Sequence, residues 1–278
     1  MREIDLHVHT TASDGTLSPG QTAALAAQKG LKAIAISDHD TVEGCAAAVA
    51  EGQRLGVEVV PGIELSTKFY RAVHILGYYI DTENPELQAL LDWIVEDRDK
   101  RNRYMAELMA ADGLPVSYEQ MHRRFGAVIG RPHFGQVLVE LGLAESVNDA
   151  FDRYIEKGQR YYAPRTILAI EQAVQSIVKA GGIATLAHPF QYRLEDENLR
   201  KLIEHCMDNG LRAIECRYSG YSGEQTAYLE KLAEEYGLLK TGGSDFHGQN
   251  KPHIDMGSGR GELAVPYEWL EKLREAAK

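Results

Sequence analysis

The chain has 278 residues, 44% of them hydrophobic, enough to bury one large barrel-sized core or such a core with a small insert. A net charge of −11 argues against an extended nucleic-acid surface, because phosphate backbones are bound through Lys and Arg. There is no run of about 18 apolar residues for a membrane span and no charged-then-apolar leader, so the sequence reads as cytoplasmic.

In chain order, short β-branched runs alternate with Ala-, Leu- and Glu-rich stretches of helical length, the pattern of a parallel sheet wrapped by helices. Seven strands are predicted, at about 3–8, 32–37, 57–64, 73–80, 183–187, 212–216 and 238–243. Ser18 and Pro19 open the first helix as N-cap and N1, and Gly30 closes it. Too few residues separate Glu64 from His74 for a helical crossover, which predicts a hairpin turning near Phe69-Tyr70-Arg71 with Glu64 and His74 as neighbours across it. Between about 97 and 168 the alternation stops and the segment reads as a helical insertion. The barrel domain is then 1–96 and 169–278, with 97–168 as a substrate-recognition cap. Gly257 to Gly261 lacks the strand-to-helix context of a phosphate loop and reads as a flexible turn, and the last helix follows Pro266. Cys45, Cys206 and Cys216 form no CxxC pair and read as small buried hydrophobes.

The chemistry-bearing residues fall at strand ends. His7-Val8-His9 closes the first strand, and alternation puts both imidazoles on one side. Asp14 follows in a loop. Ser37-Asp38-His39 ends the second predicted strand, Gly62-Ile63-Glu64 the third, His188 follows the fifth, and Ser244-Asp245-Phe246-His247 follows the last. The C-terminal ends of strands are where α/β barrels carry their active sites. A single buried His is as readily a satisfied core residue as a ligand, but five such strand ends together point to a metal cluster. Imidazole and carboxylate without thiolate suit Mn, Fe or Zn in a hydrolytic site. Glu64, with two oxygens, could bridge metals about 3.5–4 Å apart and hold a hydroxide between them.

This set, His7-x-His9, Asp14, Ser37-Asp38-His39, Glu64, His74, Ala187-His188-Pro189 and Ser244-Asp245-x-His247, resembles the motifs of the PHP (polymerase and histidinol phosphatase) family. The opening Asp5 to Gly15, the segment His74 to Tyr78 and Arg131-Pro132-His133-Phe134 are most similar to its TrpH-type branch. The resemblance covers residues 1 to about 96 and about 169 to 250 and implies a distorted (β/α)7 barrel. It implies that His7, His9, Glu64 and Asp245 hold one metal, Glu64, His74 and His188 a second, and Asp14, His39 and His247 a third. Two or three divalent ions are expected, Mn first, with Fe or Zn as alternatives. Glu64, Asp245 and His247 are the expected catalytic groups.

That branch is associated with 3′,5′-nucleoside bisphosphate phosphatase activity and with 5′-3′ trimming of short RNA. The first is the leading expectation, a small nucleotide losing its 3′-phosphate to a metal-bridging hydroxide; a short oligonucleotide is the alternative substrate. A second phosphate needs its own grip. Pro132 is expected at N1 of a helix, placing Arg131 or His133 beside an anion-attracting N-terminus, although His133 could equally cap that helix. Lys157, Arg160 and Arg165 surround Tyr161-Tyr162, a mixture suited to a phosphate and a stacked base or, equally, to a solvated face. Arg98-Asp99-Lys100-Arg101 reads as plain surface. Histidinol-phosphate hydrolysis would need an acidic subsite, and C–N hydrolysis of the amidohydrolase kind fits Asp14, His39 and Asp245-x-His247 less well. A non-catalytic accessory module is disfavoured because no ligand position is substituted.

Overall fold

The computed structural model describes residues 3–126, 129–164 and 166–278. The chain divides into two compact units, Met1–Leu90 with Ile167–Lys278, and Leu91–Thr166. Strands β1 (Ile4–Val8), β2 (Ala33–Ile36), β3 (Glu58–Val60), β4 (Gly62–Lys68), β5 (Ala72–Tyr78), β6 (Leu168–Ala169), β7 (Ile183–Leu186), β8 (Ala213–Tyr218) and β9 (Leu239–Gly243) belong to the first unit. Helices α1 (Pro19–Gln28) and α2 (Glu43–Leu55) lie in that unit, and α3 (Pro85–Ala111) begins in it. The second unit holds α4 (Tyr118–Phe125), α5 (Arg131–Glu140) and α6 (Val147–Ala150). The first resumes with α7 (Ile170–Lys179), α8 (Asp196–Asp208), α9 (Gly223–Tyr236) and α10 (Tyr267–Ala276).

Local chemistry sets the helix ends. Ser18 Oγ accepts from Gln21 N while Gln21 Oε1 accepts from Ser18 N, a capping box at the start of α1 with Pro19 at N1. Gly30 sits just past its end at φ +70°. Among the described residues, one sheet has the order β1-β2-β3 and another the order β6-β4-β5-β7-β8-β9. Strands β1, β2 and β7 are buried along their whole length, as expected where helices cover a sheet.

Backbone bonds beyond the ladders join the two sheets into an irregular α/β barrel. At one seam Asp245 N donates to His7 O (2.9 Å) and His9 N to Phe246 O (2.9 Å). At the other Glu64 N donates to Asp38 O (3.1 Å) and Asp40 N to Glu64 O (3.0 Å). Both seams pass through residues singled out as ligands, so closing the barrel is also what assembles the site.

Three details differ from the sequence-based expectation. The strand expected at 57–64 is two, because Pro61 has no N–H for the ladder and the chain changes sheets there. Glu64 is consequently the third residue of β4 and not the end of a strand. The short β6, paired with β4, was not foreseen; two residues are too few for a periodic signal. The hairpin does form: Phe69 N donates to Arg71 O, and β4 pairs antiparallel with β5. In that register Ser66 faces His74 and Glu64 faces Leu76, so Glu64 and His74 are diagonal neighbours on one face. Because β5 runs against β4 and β7, its first residues lie at the end where its neighbours' ligands are.

The 91–166 unit has its own apolar core, including Met105, Met109, Phe134, Leu138 and Ile155. Its first residues belong to α3, which runs unbroken through position 97. Arg98 and Arg101 are buried, contrary to the surface reading: Arg101 Nε donates to Asn102 Oδ1 (2.7 Å), and Asn102 Nδ2 to Ile129 O (3.0 Å). The Gly257–Gly261 turn is not loose either, since Gly257 N donates to Asp5 Oδ2 at 2.7 Å and Ser258 is buried. All three cysteines are free and buried, and burial pushes the Cys45 and Cys206 thiols up to about 12. No helix among the described residues is long and apolar enough to cross a membrane.

Candidate metal centre

Period-2 alternation in β1 aims Asp5, His7 and His9 to one side, away from Ile4, Leu6 and Val8. Gly243, at the end of β9, lets that strand press against them: a Cβ there would lie 2.3 Å from His7 Cβ. His7, His9, Glu64, His188, Asp245 and His247 are buried, and Asp14, His39 and His74 half-buried.

Glu64 is the hub. Its Oε2 lies 3.4 Å from His7 Nε2, 3.4 Å from His9 Nε2 and 3.0 Å from His39 Nδ1. Its Oε1 lies 2.9 Å from His74 Nδ1 and 3.0 Å from His188 Nε2. Asp245 Oδ1 completes the first side, 3.3 Å from His9 Nε2 and 3.7 Å from His7 Nε2. Beyond His9, Asp14 Oδ1 lies 3.2 Å from His247 Nε2, and Asp14 Oδ2 lies 3.9 Å from His39 Nε2. Donor atoms of His9, Asp14, His39 and His247 form one group that could hold an ion; others are His7, His9 and Asp245, then His7, Glu64 and His188, then His39, Glu64 and His74. His7, His9, His39 and Glu64 thus each belong to two groups, a sharing that linear spacing does not reveal.

The donor set fits divalent cations. Ligands about 2.0–2.2 Å from a common ion sit roughly 3.0–3.5 Å from one another, the spacing around Glu64 and Asp245. His7 Nε2, both ring nitrogens of His9, His39 Nδ1 and Glu64 Oε2 are buried without a hydrogen bond among the described residues, a costly state that a cation relieves. Adding Mn²⁺ at about 100 times its Kd is expected to raise Tm by roughly 5–10 °C over chelator-treated protein. A calorimetric scan with no shift would count against the site.

Electrostatics point the same way. Burial works against the Glu64, Asp14 and Asp245 carboxylates, yet their neighbours hold all three well below the usual range: His74, His39 and His7 for Glu64; His247 and His39 for Asp14; Lys251 and His247 for Asp245. Burial also opposes charge on His7, His74 and His247, but Glu215 and Glu64, Glu64, and Asp14 respectively raise them above the ordinary imidazole value. His9 and His39 are lowered, by burial first.

A supporting layer escaped the sequence reading. Asp38 accepts from Thr10 N, Thr10 Oγ1 and Ser13 Oγ, each at 2.7 Å, and so shapes the loop that carries Asp14. Asp5 ties the β1 and β9 ends together by accepting from Ser244 N (2.8 Å) and Ser244 Oγ (2.5 Å). Tyr218 OH (2.7 Å) and Lys251 Nζ (2.6 Å) donate to Asp245 Oδ2 and leave Oδ1 facing the histidines. Glu215 lies against His7. Asp5 shared the HxH alternation, and Glu215 was an acid inside an apolar strand, both readable signals; Lys251 had none. His188 (φ +23°) and Asp245 (φ +58°) hold backbone conformations rare for side-chain-bearing residues, strain of the kind found at functional sites.

The expected phosphate-binding residues lie in the 91–166 unit. Arg131 is N1 of α5 and Pro132 N2, one position later than expected, because Gly130 is the N-cap. His133, at N3, is buried and its Nδ1 accepts from Gly130 N at 2.9 Å, the capping alternative. Arg131 Nη1 lies 3.0 Å from Glu156 Oε1, with its guanidinium 5.2 Å over Phe151 and 5.8 Å over Tyr162. Arg160 is bound by Asp112, Lys157 is exposed, and Arg165 lies outside the described residues.

The PHP domain family matches residues 5–230. The chain belongs to that family. Among its relatives, the 5′-3′ exoribonuclease Rnm of Salmonella typhimurium is 37% identical over 257 residues, 91% of this chain and 87% of that protein. The 3′,5′-nucleoside bisphosphate phosphatase of Chromobacterium violaceum is 33% identical over 260 residues, 92% and 91% of the two chains. A solved structure from Bifidobacterium adolescentis, described as a candidate metal-dependent phosphoesterase, superposes with a TM-score of 0.85 at 28% identity, covering 98% of this PHP protein and 95% of the other.

Proposed function

We propose that this metal-dependent phosphoesterase of the PHP family removes the 3′-phosphate of a nucleoside 3′,5′-bisphosphate. The observation that carries phosphoester hydrolysis is the division of Glu64, whose two oxygens face two different sets of histidines. In this reading Glu64 with His7, His9 and Asp245 would hold one ion, and Glu64 with His74 and His188 a second. Asp14, His39 and His247 would hold a third. Mn suits this mixed oxygen and nitrogen ligation, with Fe and Zn next. Such ions supply Lewis-acid polarisation of phosphoryl oxygens and lower the pKa of water. The chain contributes orientation: Tyr218 and Lys251 fix Asp245, and His247 Nδ1, 2.9 Å from the Asp245 carbonyl, is held so that Nε2 faces Asp14.

A small substrate accords with the acidic chain. Arg131, at a helix N-terminus that favours anions, is assigned to the second phosphate, with Lys157, Arg160 and Arg165 as secondary contacts and His133 left to its capping role. Arg131→Ala is expected to raise KM for adenosine 3′,5′-bisphosphate about 10- to 100-fold, the worth of a charge-assisted contact. Its kinetics on adenosine 3′-monophosphate should stay unchanged; equal losses on both would remove Arg131 from this role.

The 37% identity to the Salmonella exoribonuclease favours a second reading, removal of nucleotides from the 5′ end of a short RNA. Phosphate or nucleotide release by Mn-loaded protein from the bisphosphate, 5′-AMP, a 5′-phosphorylated dinucleotide and histidinol phosphate separates the two. Selective turnover of the bisphosphate supports the first reading, and preference for the dinucleotide replaces it with the second.

A further inference from the structure

We infer that Glu215 is a positioning residue shared by two parts of the metal centre, holding His7 in the tautomer that leaves Nε2 free for a metal while pinning the strained backbone of His188. The inference rests on reading His7 and His188 as metal ligands.

Glu215 sits in β8, fully buried, as an acid within the apolar run Ala213-Ile214-Glu215-Cys216. Among the described residues its only ion-pair contact is His7, so it is not half of a Lys or Arg salt bridge. Its Oε1 lies 3.0 Å from His7 Nδ1, and its Oε2 accepts from His188 N at 2.6 Å. His7 lies in one candidate group with His9 and Asp245 and in another with Glu64 and His188; within the latter, His7 Nε2 faces Glu64 Oε2 at 3.4 Å and His188 Nε2 faces Oε1 at 3.0 Å. One carboxylate therefore reaches two candidate ligands that face different oxygens of Glu64, from 208 residues away in sequence in the case of His7.

The hydrogen-bond inventory makes the role specific. Both Glu215 oxygens must accept, one from a ring N–H of His7 and one from the backbone N–H of His188. With the proton on Nδ1, His7 Nε2 keeps its lone pair; that nitrogen is buried, has no hydrogen bond among the described residues, and lies 3.4 Å from Glu64 Oε2. A carboxylate behind a ligating imidazole fixes the ring and raises its basicity, and its loss commonly costs 10- to 100-fold in metal affinity. Glutamine has the same shape but offers one acceptor and one donor. With its NH₂ toward His7, the ring proton moves to Nε2, where the metal would bind. With its NH₂ toward His188, two donors meet, and the backbone conformation at φ +23° loses its anchor.

The experiment is calorimetric titration of chelator-treated wild-type and Glu215→Gln protein with Mn²⁺, alongside circular dichroism and turnover at limiting and excess metal. The expected result is an affinity about 10- to 100-fold weaker in the variant, with the fold retained and kcat recovering as Mn²⁺ is raised, a recovery that a merely structural lesion would not show. Wild-type-like affinity in the variant overturns the role of Glu215 alone, whereas a wild-type protein that binds no Mn²⁺ overturns the metal reading as well. Should the variant not fold, magnetic resonance of Zn²⁺-loaded, histidine-labelled wild-type protein decides. A low-field His7 Nδ1–H protected from exchange is expected, and an Nδ1 without a proton, or with one exchanging as freely as an exposed imidazole, overturns the inference.

Discussion

Glu64→Gln is expected to lower kcat by about 10³-fold or more at a metal concentration that saturates the wild type. A correctly held metal ion contributes several kcal/mol to transition-state charge stabilisation, and losing about 4 kcal/mol of it corresponds to three powers of ten in rate. The amide keeps the side-chain shape, so the cavity is not the cause. One terminal atom becomes an NH₂ that cannot ligate, and it must face either His74 and His188 or His7, His9 and His39. Either way one set loses its Glu64 oxygen, and the negative charge that Glu64 places between the imidazoles is gone. Steady-state kinetics with metal content determined on the same sample tests this. Turnover within about tenfold of wild type at full metal content would show that Glu64 does not join the two sets.

Metal affinity should fall steeply as pH is lowered from 8 to 6. Metal ligands bind deprotonated, so each proton that must leave costs roughly tenfold in affinity per pH unit below that group's pKa. Glu64, Asp14 and Asp245 are held well below the usual carboxylate range and carry no proton in this window, and His9 and His39 are lowered by burial. The protons to be displaced are those of His7, His74 and His247, whose pKa values are raised by their carboxylate neighbours against the effect of burial. Titration with Mn²⁺ in buffers of differing ionisation enthalpy counts them, and pH-independent affinity without proton release would sink the argument.

The same shifts give the metal-free protein the opposite trend. A histidine with a raised pKa stabilises fully below its unfolded value of 6.5 and less as pH climbs through its folded value. The depressed carboxylates stabilise above unfolded values of 3.8 to 4.5 and lose that as pH falls through their folded values. These groups favour the metal-free protein in mild acid, between those limits, while His9 and His39, lowered by burial, act the other way and lose stability as pH falls below 6.5. A metal-free Tm that only rises from pH 5 to 8 would show that the raised histidines do not dominate, and bound metal adds most stability at the upper end.

Most of the candidate ligands were legible in the sequence because they stand in short, chemically loaded motifs: His7-x-His9 on one strand face, Ser37-Asp38-His39 after another strand, Asp245-x-His247 after the last. Strand alternation and helix capping depend on covalent neighbours, so the β/α order, the hairpin at Phe69–Arg71 and the Ser18 cap could all be read locally. Pro61 carried a readable signal for the broken strand, but which sheet each half would join did not follow from it.

Only the tertiary structure decided which motifs meet and how. Glu64 and His188 are 124 residues apart, His7 and Glu215 are 208, and Asp5 and Ser244 are 239, yet each pair is in hydrogen-bond contact. Periodicity reports the face a side chain takes on its own element, whereas its partner is set by the order in which strands close around the barrel. That order places Glu64 between two sets of histidines, gives His7, His9, His39 and Glu64 each a place in two candidate metal groups, and puts Glu215 and Lys251 behind the candidate ligands. The residue types of the site are thus written in the sequence; their pairing comes from long-range backbone closure, whose energetics no local window contains.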